Sequence, residues 1–293
     1  MKKILVSLLI LFVICGCESK EVIAREDRTI NQIDYSESKE FPFELNSNYY
    51  LLMRLNDFKV LYAHRSDEVI YPASLTKVVT LNTALRLCDD INATSGLSYD
   101  EYYSLLEQNA SIAYLKPGEE YTVKDLLFAL ILPSGADAAL AISDYYESKG
   151  YDFIEEMNRQ AESLGLLNTH FVNTTGLHDD DHYTSLDDYL IYVLDTLKYY
   201  EGREVLETLH YTLEDGLNVK STILPVTNKY VTVFGGKTGF TGEAGQCILV
   251  LYECDNRSYL LLLANAPGNP GYGEYLHYED TIKIFKELYG NHE

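Results

Sequence analysis

Apolar residues along the chain follow strand-like spacing near both ends and helix-like spacing between them. Two apolar-rich strands, 49–55 and 58–64, flank Asn56-Asp57, a pair typical of a tight hairpin turn. Further along, the segment 231–238 is strand-like, and 246–253 and 258–264 flank a four-residue turn. We expect the last two to pair antiparallel.

Helix signals fill the region between these strands. Thr122 and Asp125 predict a capping box, Ser185 and Asp188 open a later helix, and Gly165 follows the end of another. The predicted helices cover 74–87, 126–132, 136–146, 153–164, 185–197 and 281–288. Strands at both ends around a helical middle favour an α+β fold in which helices cover an antiparallel sheet.

The first 17 residues have the pattern of a bacterial lipoprotein leader. Lys2 and Lys3 precede an apolar run, 4–14, which is shorter than the roughly 20 residues needed to span a bilayer. The run ends in Val-Ile-Cys-Gly-Cys, which resembles a lipobox with cleavage before Cys17 and a lipid on its sulfur. We therefore expect a signal peptide at 1–16 and an extracytoplasmic protein anchored to the cell membrane. An ordinary signal peptide with an incidental Cys17 is the alternative.

Residues 17–40 are predicted to form a lipidated cysteine and a flexible tether, because 11 of the 23 residues in 18–40 are charged and show no apolar period. Residues 41–293 would form one domain. Its cysteines are Cys88, Cys247 and Cys254, an odd count that argues against a full disulfide framework. Cys88 and Cys247 lie in apolar patterns and are expected to be buried.

The formal charge of −22 argues against nucleic-acid binding, which needs a basic surface.

The motif Ser-x-x-Lys occurs twice. Ser36 and Lys39 lie in the predicted tether, where nothing would exclude water. Ser74 and Lys77 lie at the start of an apolar helix, where i,i+3 spacing places the hydroxyl and the amine on one face. The free N–H groups and positive end of the helix would favour an oxyanion and disfavour a charged lysine. A partly desolvated Lys77 could then accept the serine proton, whereas a solvent-facing Lys77 is the alternative.

Two later motifs carry further candidate chemistry. Ser134 lies in a helix break, Pro-Ser-Gly-Ala-Asp. Lys237, Thr238 and Gly239 come at the end of the predicted strand 231–238, among glycines that would let a ligand approach the strand edge. Lys237 and Thr238 could hold a carboxylate by charge-assisted hydrogen bonds. The alternative is a glycine-rich hairpin with an exposed lysine.

In series, these motifs resemble those of the D-alanyl-D-alanine carboxypeptidases of peptidase family S11, the low-molecular-weight penicillin-binding proteins. The flanking sequences agree with the likeness, which covers roughly 41–290: Pro72–Lys77, Pro133–Ala139, Phe171–His178 and Gly236–Gly239. The resemblance implies a five-stranded antiparallel sheet flanked by helices, an all-helical lobe, and a site between them. It also implies that the chain hydrolyses the terminal D-alanine from peptidoglycan stem peptides and reacts with β-lactams, without a cofactor or metal ion.

Residue roles follow from the same resemblance. Ser74 would be the nucleophile, Lys77 its general base, and Ser134 the group that passes a proton to the leaving D-alanine. Lys237 and Thr238, in the Lys-Thr-Gly motif with Gly239, would bind the terminal carboxylate. The backbone N–H groups of Ser74 and Phe240 would form the oxyanion hole.

The sequence departs from the family pattern in two places. The loop motif normally reads Ser-x-Asn, but its third position here is Ala136. The sequence also ends about 50 residues after Lys-Thr-Gly, so we expect no C-terminal β-domain. A β-lactamase is one alternative, although no Glu-x-x-x-Asn loop lies between Ser134 and Lys237. A catalytically inactive lipoprotein that binds peptidoglycan is another, and only Ala136 supports it.

Overall fold

The computed structural model describes residues 33–225 and 231–290, whose backbone forms both a large sheet and several short strand pairs. The predicted signal peptide, Cys17 and most of the tether lie outside the described residues. The strands are Tyr49–Arg54 (β1), Lys59–His64 (β2), Val69–Ile70 (β3), Thr94–Ser95 (β4), Tyr121–Thr122 (β5), Thr184–Ser185 (β6), His210–Thr212 (β7), Asn218–Lys220 (β8), Val231–Thr241 (β9), Gly245–Cys254 (β10) and Arg257–Ala266 (β11).

Five of these strands form the main sheet in the order β2-β1-β11-β10-β9, and all of its neighbouring strands pair antiparallel. The predicted five-stranded antiparallel sheet is confirmed, as is the pairing of the last two strands. The prediction for β9 was too short, because its pairing with β10 continues to Thr241 opposite Gly245. Lys237, Thr238 and Gly239 therefore lie within the strand and not at its end.

The helices lie mainly between the two groups of sheet strands along the chain. They are Thr76–Leu87 (α1), Tyr99–Glu107 (α2), Val123–Ile131 (α3), Ala136–Ser148 (α4), Phe153–Leu164 (α5), Leu186–Thr196 (α6), Tyr200–Leu206 (α7) and Leu276–Tyr289 (α8). Single 3-10 turns occur at Ala73–Leu75 and Pro270–Tyr272. The sequence patterns did not predict α2, α7 or the β7–β8 hairpin, and α8 begins five residues earlier than expected.

Local signals explain where several helices begin and end. Ser185 accepts a hydrogen bond from the Asp188 backbone N–H, and Gly165 adopts φ +73° after α5, as predicted. Thr122 likewise caps α3 through the Asp125 N–H. The second half of that predicted capping box is absent, because the Asp125 carboxylate accepts hydrogen bonds from the Tyr211 hydroxyl and the Glu214 N–H. Asp125 thus joins α3 to the β7–β8 hairpin.

The main sheet is buried on both faces. In β1, Leu51 and Met53 pack with the helices of the chain's middle, whereas Tyr50 and Leu52 pack on the other face with residues of α8. This alternation explains why the central strands are apolar at almost every position. Among the described residues, no helix combines the length and apolarity needed to cross a membrane.

Part of the segment predicted as a flexible tether, residues 34–39, contacts the main sheet. Asp34 and Lys39 make backbone bridges to Lys59 and Tyr62 of β2, with Asp34 N donating to Phe58 O at 3.0 Å. Because β2 is an edge strand, its outer backbone groups need partners, and this segment supplies some of them. These contacts could not be predicted from an apolar pattern, since they use backbone atoms and the side chains of Ser36 and Lys39 stay exposed.

The described cysteines are all free thiols. Cys247 is fully buried, as predicted, and Cys254 is also buried. The prediction for Cys88 was only partly right, because it is half-buried at the end of α1.

Candidate active site

Ser74 lies in the 3-10 turn that leads directly into α1. Ala73 before it adopts φ +49°, which is uncommon for a residue with a side chain. Two glycines pack against this turn from different elements. A Cβ at Gly176 would lie 1.9 Å from the Ala73 carbonyl oxygen, and one at Gly239 would lie 3.1 Å from the Ser74 nitrogen. Only glycine allows the loop containing Gly176 to approach this closely, and β9 comes close to Ser74 from another direction.

Lys77 lies one turn after Ser74 and is buried, with 2% of its surface exposed. Its Nζ donates to Ser74 Oγ at 3.1 Å and to the Thr175 carbonyl at 2.6 Å. Burial lowers the pKa of Lys77 to about 7, and the charge of Asp137 opposes this shift only in part. Near neutral pH, much of Lys77 is therefore an amine that can accept the Ser74 proton. The alternative of a solvent-facing Lys77 is wrong.

The loop 173–177 positions the carbonyl that Lys77 contacts. Asn173 Oδ1 accepts hydrogen bonds from the Thr175 N–H at 3.1 Å, the Thr175 hydroxyl at 3.1 Å and the Gly176 N–H at 2.7 Å. Its Nδ2 donates to the Leu177 carbonyl at 2.9 Å. One side chain therefore fixes the turn whose Thr175 carbonyl aims at Lys77.

Ser134 and Lys237 form a second hydrogen-bonded pair. Ser134 lies between α3 and α4 with φ +65°, and its Oγ accepts a hydrogen bond from Lys237 Nζ at 2.8 Å. Lys237 is fully buried, and its Nζ also donates to the Thr238 carbonyl at 2.7 Å. Burial, and then the nearby charge of Lys77, hold the pKa of Lys237 well below its ordinary value. The alternative of an exposed Lys237 in a hairpin is wrong.

Neither buried lysine has a carboxylate within ion-pair distance among the described residues. Two amines of lowered pKa without acidic partners form a site that would attract an anion. Lys237 holds Ser134 Oγ in place, whereas Lys77 holds Ser74 Oγ. The structure thus brings together the four residues singled out for nucleophilic and anion-binding chemistry.

The remaining substrate-binding candidates lie along β9, an edge strand of the main sheet. The Thr238 hydroxyl is hydrogen-bonded to the Thr222 hydroxyl at 2.7 Å, and the Phe240 ring is 36% exposed. Gly239 contacts the Ser74 turn, which brings the neighbouring Phe240 backbone close to Ser74. An edge strand has one row of unpaired backbone groups, which an extended peptide can join.

Ala136 is buried at the start of α4, and its N–H donates to the Ser111 carbonyl at 2.8 Å. The next residue, Asp137, is fully buried and accepts hydrogen bonds from the N–H groups of Ala113, Leu115 and Ala138. Burial raises the pKa of Asp137 despite these donors. The loop that carries Ser134 is therefore joined to the segment 111–115.

Comparison with known proteins identifies the family. The sequence model of peptidase family S11, described as D-alanyl-D-alanine carboxypeptidase, matches residues 35–265. The chain belongs to this family. It is 33% identical over 204 residues to D-alanyl-D-alanine carboxypeptidase DacF of Bacillus subtilis, an alignment covering 68% of this chain and 52% of that relative. The chain thus spans about half the length of this S11 relative.

Solved structures share the fold of this chain. The crystal structure of the Streptomyces K15 DD-transpeptidase superimposes with a TM-score of 0.74 at 25% identity, covering 84% of this chain and 98% of that one. Penicillin-binding protein D2 of Listeria monocytogenes, in its ampicillin-bound form, shares the fold with a TM-score of 0.67 at 24% identity, covering 84% and 98% of the two chains.

Sequence reasoning missed two residues that support the site. Asn173 lies within the family motif Phe171–His178, and an Asn three residues before a glycine is a recognisable turn signal that could have singled it out. His182 is buried, and burial lowers its pKa to about 4, so it is neutral. Its Nδ1 accepts the Val172 N–H at 3.2 Å, so Nε2 donates to Thr76 Oγ1 at 2.7 Å. His182 thereby fixes the start of α1 between Ser74 and Lys77.

Within the described residues, no group of three or more His, Cys, Asp or Glu side chains is arranged to hold a metal ion.

Proposed function

We propose that this S11 protein is a serine-type D-alanyl-D-alanine carboxypeptidase that removes the terminal D-alanine from peptidoglycan stem peptides. The observation that carries the proposal is Lys77, a buried lysine of lowered pKa whose Nζ lies 3.1 Å from Ser74 Oγ. A serine hydroxyl is a weak nucleophile until a neighbouring base accepts its proton. Lys77 is that base, and it needs no histidine or carboxylate.

The reaction proceeds through an acyl-enzyme. Lys77 accepts the Ser74 proton while Ser74 Oγ bonds to the carbonyl carbon of the penultimate D-alanine. The N–H groups of Ser74 and Phe240 stabilise the oxyanion. The C–N bond breaks, the proton that Lys77 took from Ser74 passes by way of Ser134 to the leaving nitrogen, and D-alanine departs. Water then hydrolyses the ester, which restores Ser74 and releases a stem shortened by one residue.

Lys237 explains the choice of a substrate with a free carboxylate. Lys237 is buried, has a lowered pKa and lies beside Ser134. A substrate carboxylate supplies the missing negative charge, with the Thr238 hydroxyl as a second donor, so binding favours the charged form of Lys237. β-Lactams carry a carboxylate beside a reactive amide, and ampicillin is bound in the Listeria neighbour, so we include them among the ligands.

Mass spectrometry of the intact full-length protein after brief exposure to penicillin tests the proposal. Wild type should gain the mass of one penicillin, and Ser74→Ala should gain none while keeping its melting temperature. Ser36→Ala is the matched control, because Ser36 belongs to the other Ser-x-x-Lys motif and is exposed. Acylation of Ser74→Ala at the parent rate would show that another residue is the nucleophile.

A catalytically inactive peptidoglycan-binding protein is the second candidate. The observation that favours it is Ala136, which places a methyl group where relatives carry the Asn of Ser-x-Asn. Release of D-alanine from a pentapeptide stem by wild type would exclude this candidate.

We also propose that Cys17 carries a lipid that anchors the protein to the outer side of the cell membrane. The support is the sequence alone: two lysines, an apolar run and Val-Ile-Cys-Gly before the cysteine. Cys17→Ala should abolish lipid labelling of the chain in cells, whereas Cys15→Ala, two residues away, should not. An unmodified mature N-terminus downstream of Cys17 in the native protein would contradict the proposal.

A further inference from the structure

A pocket outside the catalytic residues lies where α2 ends and the following loop begins. It has a volume of about 430 Å³ and is lined by Leu106, Asn109, Ala110, Ser111, Ile112 and Tyr114. None of the residues given a role in the proposed reaction lines it.

The pocket is nevertheless attached to the active-site loop by hydrogen bonds. The Ser111 carbonyl accepts the Ala136 N–H at 2.8 Å, and Ala136 lies two residues after Ser134. The buried Asp137 carboxylate accepts the Ala113 N–H at 2.8 Å and the Leu115 N–H at 3.0 Å. A ligand in the pocket would therefore lie beside the loop that carries Ser134.

The same contacts hold Tyr114 in an exposed, strained position. Asp137 binds the N–H groups on both sides of Tyr114, which adopts φ +65°. Residues other than glycine adopt such a backbone only when their surroundings impose it. The Tyr114 side chain is left 71% exposed at the pocket. Asn109, also at the pocket, has φ +52°. An exposed aromatic ring on a backbone held in this way presents a flat apolar face to a ligand, and a Tyr side chain has only two χ angles to order on binding.

The chemistry of the lining selects the class of ligand. None of the six lining residues is charged, so the pocket offers no ion-pair partner to the carboxylate or the amino group of a stem-peptide side chain. It offers instead an aromatic face, an amide and a hydroxyl. These groups fit a neutral ring with hydroxyl and acetamido substituents. We propose that this pocket binds an N-acetylated sugar of the glycan strand to which the stem peptide is attached.

The inference rests on the proposed function, because only a peptidoglycan substrate links such a sugar to the peptide at Ser74. On this basis the enzyme would prefer stems that are still joined to their sugars over free peptides. The preference would arise from the Tyr114 pocket and not from the catalytic residues.

Direct binding tests the pocket without any chemistry at Ser74. The probe is the peptide-free disaccharide of N-acetylglucosamine and N-acetylmuramic acid, titrated into the full-length protein and followed by NMR. Tyr114→Asn should weaken binding about five- to ten-fold, because it removes the ring while keeping a residue that tolerates positive φ. Asn109→Gly should also weaken binding, because it removes the amide. Glycine is chosen here because it tolerates positive φ.

Tyr200→Asn is the matched control. Tyr200 is 72% exposed, close to the 71% of Tyr114, and it lies beside Gly202, which packs near Leu85 toward the far end of α1. This change should leave disaccharide binding as it is in wild type. No binding by wild type, or equal losses in Tyr114→Asn and Tyr200→Asn, would overturn the proposal.

A kinetic comparison then links the pocket to the reaction. The ratio of kcat/KM for a disaccharide-pentapeptide to that for the free pentapeptide should be about five to ten in wild type and near one in Tyr114→Asn. A ratio near one in wild type would overturn the proposal. So would equal losses on both substrates, which would place peptide in the pocket. If neither substrate is cleaved, the proposed function fails, and the disaccharide titration still decides the sugar site.

Discussion

We expect the low pKa of Lys77 to depend on the loop 173–177, which covers the Lys77 amine through the Thr175 carbonyl, and this expectation is open to a direct test. Asn173 makes four hydrogen bonds within the loop 173–177, whose Thr175 carbonyl contacts Lys77 Nζ at 2.6 Å. Asn173→Ala removes all four. At about 1 kcal/mol net for each, the loop would lose several kcal/mol of local stabilisation. We expect it to open and to admit water to Lys77.

The size of the effect follows from the titration of Lys77. With a pKa of about 7, about half of Lys77 is neutral at pH 7. If hydration raises the pKa by about 2 units toward the ordinary 10.5, the neutral fraction at pH 7 falls to about 1%. Acylation at pH 7 should therefore slow about 50-fold. At pH 10 most of Lys77 is neutral in both proteins, so the variant should recover most of its rate.

The measurement is the second-order rate constant of penicillin acylation between pH 5.5 and 10. The wild-type rate should rise with pH through a midpoint near 7, and Asn173→Ala should move this midpoint upward. Asn168→Ala is the control, because the Asn168 amide also bonds a backbone carbonyl, that of Asp67, in an exposed loop. A uniform loss of rate with an unmoved midpoint would refute the reasoning and leave Asn173 with a structural role only.

Two further predictions concern the buried lysines. Lys237→Ala should reduce D-alanine release from stems with a free carboxylate about ten-fold to a thousand-fold more than turnover of C-terminally amidated stems, and equal losses would place Lys237 outside the carboxylate pocket. Lys77→Met should raise the melting temperature. The pKa of Lys77 in the folded protein lies below its ordinary value of 10.5, so the unfolded chain binds the Lys77 proton more tightly than the folded protein does, and this destabilises the fold. That gain should be largest below pH 7 and should shrink between pH 7 and 10.5, which thermal unfolding across this range would check.

Sequence patterns predicted the fold well where local chemistry decides the outcome. The helix 153–164 ends at Gly165 because a left-handed residue is needed there, and Ser185 starts α6 because its hydroxyl caps the Asp188 N–H. The pairing of β10 with β11 followed from apolar runs on both sides of a short turn. In each case the signal lies within a few residues of the feature.

Features set by distant contacts were not predictable in this way. Asp125 looked like the partner of Thr122 in a capping box, but Tyr211 and the Glu214 N–H, both remote in sequence, bind its carboxylate. The pattern likewise left open whether Lys77 and Lys237 are buried, since each could have faced solvent on its own element. The loop 173–177 covers Lys77 on α1, and the loop that carries Ser134 covers Lys237 on β9.

The active-site contacts also bear on whether Ala136 abolishes activity. The family pattern Ser-x-Asn implies an Asn at this position whose amide would donate to the substrate and help hold the lysine of Ser-x-x-Lys. Here Lys77 Nζ already contacts Ser74 Oγ and the Thr175 carbonyl, and Ser134 Oγ accepts from Lys237. None of these hydrogen bonds uses the side chain at position 136. The missing amide therefore removes one contact to the substrate but leaves the catalytic groups connected.

One lost hydrogen bond is worth about 1 kcal/mol net, or roughly five-fold in rate, and more if a substrate carbonyl is left unpaired. Wild type should therefore release D-alanine from a pentapeptide stem, and Ala136→Asn should change that rate by no more than about a hundred-fold. Because Ala136 is buried, the larger side chain also risks overpacking, so the melting temperature must be measured beside the rate. Absence of release by wild type on every stem tested, with activity appearing only in Ala136→Asn, would show that the methyl group disables the site and would favour an inactive binding protein.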